Sequence, residues 1–213
     1  MILFNNPYQE THAKRRIELA KSRKLNESSP YVDRIIDVKT GSRATFKDFF
    51  LAAQIVPWNT VCCISNDDIS FEDSTCGMFE FIGFGECFAL SRHEENGKIQ
   101  EKSIASQDAW LWRGPPPILD ADFALGKWAC DNRIAKLIID AGFVLYNPCL
   151  SIKAFHHHSS NIRRHGPKIR EVEGEYAMVP PCTMSQLRVD GRHRVTINNY
   201  LPDPKQPDLK QVV

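Results

Sequence analysis

The stretch Val61-Cys62-Cys63-Ile64-Ser65-Asn66-Asp67-Asp68-Ile69-Ser70-Phe71 decides how the chain is read. Apolar, strand-favouring residues run into a short acidic cluster, after which the apolar character resumes. A buried strand that ends in carboxylates delivers acceptor oxygens to the carboxyl edge of a sheet, where open α/β folds bind ligands. Successive side chains on an extended backbone alternate, so Asn66 and Asp68 are expected on one face and Asp67 on the other. Hard oxygen ligands in that arrangement suit magnesium or manganese, which take one or two carboxylates plus substrate phosphates. An acidic turn between two strands is the plainer alternative.

The flanking sequence supplies a framework for this strand. Residues 1–4 read as a short buried strand, with Asn5, Asn6 and Pro7 as its exit. Residues 9–25 carry helix formers, with Ala13, Ile17 and Ala20 at core-facing spacing. Their other face is basic (Lys14, Arg15, Arg16, Lys21, Arg23 and Lys24), and reads either as solvated or as facing phosphate or nucleic acid. Residues 32–38 give a second strand, and Thr45 caps a helix over 46–55 that Pro57 ends. Strand–helix–strand–helix–strand is the signature of a Rossmann-like, mostly parallel central sheet flanked by helices, an α/β fold. Further strands are expected at 86–90, 143–146, 150–155 and 195–197, with an amphipathic helix through Ile134, Leu137, Ile138 and Ala141. One domain over residues 1–180, followed by a partly irregular C-terminal extension over 181–213, accounts for the pattern.

Bulk properties narrow the classes. With 213 residues, 42% hydrophobic and 25% charged, and a formal net charge of +1, the chain shows no global attraction to nucleic acid or membrane. No apolar run approaches a membrane span, and Asn5, Asn6 and Pro7 interrupt the apolar start too early for a signal peptide. The seven cysteines form no Cys-x-x-Cys pair, which points to reduced, buried thiols and a cytoplasmic setting. No dinucleotide-binding glycine motif, phosphate-binding loop, nucleophile elbow or His-Glu-x-x-His occurs.

Four further groups carry candidate chemistry. His156 and His158, two apart at a strand end, repeat the spacing of Asn66 and Asp68, and imidazole beside oxygen ligands favours manganese over magnesium. A polar histidine loop is the alternative. Asp131, at or just before a helix N-terminus, serves either as a cap or as a general base toward a hydroxyl. Arg92 and Arg113 each follow an apolar stretch and suit phosphates or surface ion pairs. Trp110, Trp112 and Trp128 suit either stacking on a sugar or base, or core packing.

The order Asn66-Asp67-Asp68-Ile69, Phe88-Ala89-Leu90-Ser91-Arg92, Ser106-Gln107-Asp108-Ala109-Trp110, Cys130-Asp131-Asn132-Arg133-Ile134-Ala135 and Tyr146-Asn147-Pro148, on through His156 to Asn161 and Arg163, resembles small glycosyltransferases of the GT-A class. The resemblance covers most of residues 1–180, and the segment over 130–135 is among its most specific parts. It implies a GT-A fold and a metal-dependent transfer of sugar from a nucleotide-diphosphate donor, a UDP-sugar as first guess, to a glycan or other hydroxyl acceptor. By that resemblance Asp68, His156 and His158 hold manganese or magnesium, and Asp131 is the base, with inversion favoured. Asn5, Asn66, Asp67 and Arg92 face the nucleotide, and Trp110, Trp128 and Asn132 face the acceptor. Asn66 stands where the family's motif begins with Asp, so its ligation there is weaker. Two other outcomes are carried along. One is transfer to a hydroxymethylated base in DNA, suggested by the basic face of residues 9–25 and by Arg163, Arg164, His165, Lys168 and Arg170. The other is a non-catalytic nucleotide-sugar-binding module.

Overall fold

The computed structural model describes residues 1–41, 43–160, 172–190 and 196–198. The chain runs β1 (Ile2–Asn5), α1 (Ala13–Ser28), β2 (Arg34–Asp37), α2 (Phe46–Ala52), β3 (Val61–Ser65) and β4 (Ile69–Ser70). It continues with β5 (Glu86–Leu90), β6 (His93–Glu94), β7 (Ala109–Arg113), α3 (Cys130–Asp140), β8 (Val144–Tyr146) and β9 (Phe155–His156). It ends with β10 (Tyr176–Met178), α4 (Met184–Asp190) and β11 (Thr196–Asn198).

Six strands form the central sheet in the order β2-β1-β3-β7-β5-β8. Strand β7 pairs antiparallel with both neighbours and the other pairings are parallel, so the sheet is mixed but mostly parallel. All five residues of β3 are buried, as expected of a strand covered on both faces. Ile2, Phe4, Cys62, Ile64, Trp110 and Trp112 pack on one face against phenylalanines of α2 and the Ile134–Ile138 stripe of α3. Leu3, Val61, Cys63, Phe88 and Leu111 point the other way, onto Ile69, Phe71, Phe79 and Ile82. Thr45 and Asp48 close a reciprocal cap on α2. All seven cysteines are buried and free. Among the described residues no helix is long and apolar enough to cross a membrane.

The reversed strand is what gives the sheet's carboxyl edge its mixed supply of residues. At that edge the chain leaves β1, β3 and β5, and it enters β7. Residues following Ser65 and Leu90 therefore meet those preceding Ala109. A second, three-stranded sheet in the order β4-β9-β6 stands at the same edge. It returns the 155–158 segment to the acidic turn: β4 and β9 pair antiparallel, Ile69 opposite His156.

Several local expectations are corrected. Helix α1 is turned over: Ile17 is 69% exposed, and the buried stripe is Arg15, Glu18, Ser22 and Asn26. The cause is the open edge of β4, whose peptide groups need partners once removed from water. Ser22 Oγ and Asn26 Nδ2 both donate to the Ile69 carbonyl at 2.8 Å, and Asn26 Oδ1 accepts from the Phe71 amide. The helix extends to Ser28, through the turn expected at 26–30. The strand expected over 150–155 shortens to Phe155–His156. Arg163, Arg164, His165, Lys168 and Arg170 lie outside the described residues.

Candidate functional site

Strand β3 ends at Ser65, and the following residues form a turn closed by the Ile69 amide on the Asn66 carbonyl at 3.1 Å. The extended alternation expected over 66–68 is therefore absent, and the three polar side chains go three ways. Asn66 Nδ2 donates to Asp108 Oδ1 at 2.9 Å. Asp67 accepts from the Asn6 amide at 3.2 Å, and burial together with the Asp68 charge raises its carboxyl to about 6. Asp68, buried, turns toward α1 and the histidine run.

The Asp68 cluster concentrates charge on one oxygen. Oδ2 accepts from an Arg15 guanidinium nitrogen and lies 3.1 Å from His156 Nε2 and 3.9 Å from His158 Nδ1. Arg15 also donates to Glu18 at 2.9 Å and to the His157 carbonyl at 3.0 Å. Glu18 in turn accepts from the Ser160 amide and from the hydroxyls of Ser159 and Ser160. Burial alone would raise the Asp68 carboxyl, but His156 and Arg15 hold it well below the ordinary carboxylate range. Burial depresses His156, and the Asp68 bond and charge more than reverse this.

His156 and His158 share a side, their ring centroids 5.3 Å apart, while His157 turns away. Its Nε2 lies 2.7 Å from Ser70 Oγ and its Nδ1 lies 2.6 Å from Glu95, which Lys21 bridges to α1. This chain fixes the backbone that presents the other two imidazoles. Asp68, His156 and His158 each offer one ligand atom, all within 4.8 Å of one another. His158 Nε2 is buried without a hydrogen-bond partner. One carboxylate and two imidazoles, one of which keeps an orphaned ring nitrogen, are a donor set of the kind a divalent transition metal takes.

The second cluster surrounds Asp108, just ahead of β7. Arg92 Nη1 reaches both of its carboxylate oxygens at 3.3 Å, and Arg92 Nε reaches Glu94. The loop at Gly126 runs beside Asn66: a Cβ there would lie 3.5 Å from Asn66 Oδ1 and 3.2 Å from the Arg43 guanidinium. That loop leads into α3, whose N-terminal flank, Ala129, adopts a left-handed φ of 74°. Left-handed backbone costs a non-glycine residue about 1–2 kcal/mol. Asp131 follows in the first turn, accepting from the Gln107 amide and the Cys130 thiol. Burial first, then the Asp108 charge, raises its carboxyl to about 8.

Other expected site residues lie elsewhere. Trp110 is wholly buried, its ring edge-on to Phe46 at 6.0 Å, so it has no surface on which an acceptor could stack. Trp112 packs likewise on Phe50. Asn132 is buried, its amide donating to the Ala177 carbonyl and holding α3 to β10. Trp128 remains partly exposed on the loop before α3. Asn5 is buried and braces β1 to Ser65 at 3.4 Å. Arg113 closes the opposite end of the sheet, bonding the carbonyls of Asn59, Glu80 and Ile82. On the basic helix face Arg15 has turned inward, and Lys21 and Arg23 pair with Glu95, Glu27 and Asp37.

In sequence Arg15 reads only as part of a basic helix face and Asp108 carries no site role, yet each stands in one of these clusters. The signal for Arg15 was its place in a polar stripe at helical spacing with Glu18, Ser22 and Asn26. Asp108 carried no comparable sign, because its position at the edge follows from the reversal of β7. No protein-family model matches this chain, and no curated protein matches it either.

Proposed function

We propose that the chain is a metal-dependent glycosyltransferase of the GT-A class, moving a sugar from a nucleotide-diphosphate donor to an acceptor hydroxyl. One observation carries the reading: Asp68, His156 and His158 each offer a ligand atom, all within 4.8 Å of one another, at the sheet edge that Asp131 also borders. Asp68 is held ionised among histidines and Asp131 is held near neutrality.

Asp68, His156 and His158 would hold the cation. When bound, a divalent cation offsets the negative charge that develops on a departing nucleoside diphosphate. Arg92, oriented by Asp108 and Glu94, is a second positive group for that charge. Asp131 takes the proton of the attacking hydroxyl. A carboxyl tuned to about 8 is a stronger base than an ordinary aspartate and is partly ionised at neutral pH. Trp128, on the loop that leads into α3, is the candidate acceptor contact.

The test is a thermal-shift screen of nucleotide sugars with and without manganese, followed by calorimetry on the best donor. Manganese-dependent binding that disappears in Asp68→Ala supports the reading, and metal-indifferent binding counts against it. A second reading, a non-catalytic nucleotide-sugar-binding module, is favoured by Arg15, which already neutralises Asp68. Metal-indifferent donor binding without transfer or donor hydrolysis would select it.

A further inference from the structure

Arg15 is the one cationic side chain of α1 that the fold takes inside, and it rests on the proposed metal ligand. The guanidinium contacts the same oxygen, Oδ2, that both histidines face. A cation held by Asp68, His156 and His158 would therefore meet Arg15 on a shared carboxylate oxygen. Two positive groups on one buried carboxylate repel strongly, because little water screens them.

The rest of the arrangement shows where Arg15 can go. Its contact to Asp68 runs through Nη2, while Nη1 is tied to Glu18 and the His157 carbonyl. Glu18 is itself fixed by Ser159 and Ser160, so the tether survives loss of the Asp68 contact. Tyr8, 39% exposed, hydrogen-bonds Arg15 from the outer side. The guanidinium thus lies between a buried carboxylate and a part-exposed rim. Its planar fork matches phosphate oxygens, whereas a lysine would offer only a point charge.

We propose that Arg15 is a displaceable counter-ion: it occupies Asp68 until a divalent cation takes that carboxylate, and its freed guanidinium then binds the diphosphate of the donor. The proposal rests on the metal-site reading above and adds a consequence to it. Cation and diphosphate should bind weakly alone and tightly together, each strengthening the other by the same factor.

The experiment is manganese binding to the full chain by calorimetry and electron paramagnetic resonance, with and without inorganic pyrophosphate. Arg15→Gln, Arg15→Lys and Asp68→Asn are compared with the wild type, and circular dichroism monitors folding. In the wild type, pyrophosphate should tighten manganese binding by about tenfold or more, within the usual range of coupling between sites. In Arg15→Gln, manganese alone should bind about tenfold more tightly and pyrophosphate should add little. Arg15→Lys keeps a charge but not the fork, and should fall between the two. If Arg15→Gln fails to fold, an Arg15→Lys protein with unchanged manganese affinity and unchanged coupling overturns the proposal. Equal or weaker manganese binding in a folded Arg15→Gln overturns it as well, while the metal reading survives if Asp68→Asn abolishes binding. No manganese uptake by the wild type under either condition removes the metal reading and the proposal together.

Discussion

The Asp68 and Asp131 clusters hold carboxylates at the same sheet edge and treat them in opposite ways. Around Asp68 the chain assembles compensation: a guanidinium from α1 and imidazoles returned by β9. Around Asp131 it withholds it. The neighbouring charge is another carboxylate, Asp108, and Arg92 is bonded to Asp108 and Glu94. The first arrangement holds its carboxyl well below the ordinary carboxylate range, and the second holds its carboxyl up at about 8. What separates the two is which charges the surrounding elements bring, since burial pushes both carboxyls upward.

That contrast can be broken from either side. The largest effect is expected from Asp68→Ala, which leaves Arg15 and His156 without their shared anion. Breaking a buried pair in this way costs about 3–5 kcal/mol, measurable by denaturant unfolding, and manganese-dependent donor binding should vanish with it. Next comes Asp131→Asn, which should lower transfer or donor hydrolysis by about a hundredfold or more with donor affinity unchanged. The same substitution should stabilise the fold. A carboxyl raised to about 8 in the folded state binds its proton more tightly there than in the unfolded chain, so wild-type stability falls as pH rises from the ordinary aspartate range toward 8. Asp131→Asn removes that loss, and its melting temperature should exceed wild type at pH 8 by about 2–4 °C for each kcal/mol relieved, and by nothing at pH 3.

A smaller change sharpens the comparison. Because the Asp108 charge raises Asp131, Asp108→Asn should move the rising limb of the pH–rate profile to lower pH. An unmoved limb would detach Asp131 from the titration. The smallest effects concern the helix that supplies Arg15. Asn26→Ala should cost about 1–3 kcal/mol by leaving the Phe71 amide without its partner, while Ile17→Ser should stay within about 0.5 kcal/mol. Unfolding measurements on both would check that α1 docks by its polar stripe.

Much of the sheet was legible because its signals are local. The apolar run at 61–64, the capping residue Thr45 and the Ile134–Ile138 spacing each specify an element without help from distant residues. The last strand expected around Thr196 is present as β11, antiparallel to β10. Legibility failed where a partner far along the chain decides the outcome. A polar stripe on α1 makes sense only beside the unpaired edge of β4, some forty residues on. Trp110 reads equally well as a stacking platform or as core until β7 is known to be an interior strand. Asn66 and Asp68 parted because the backbone turns at Asn66 after the last pairing of Ser65 with Ala109.

The brace formed by Ser70, His157 and Glu95 has a consequence of its own. Hydroxyl to imidazole to carboxylate, at 2.7 and 2.6 Å, is the geometry by which serine hydrolases are recognised, and a search by shape alone would flag it. Yet Ser70 has no exposed surface, so neither an ester nor a phosphonylating reagent can reach its oxygen. Here the relay acts as a rivet between strand and loop, chemically silent to the reagents its shape invites.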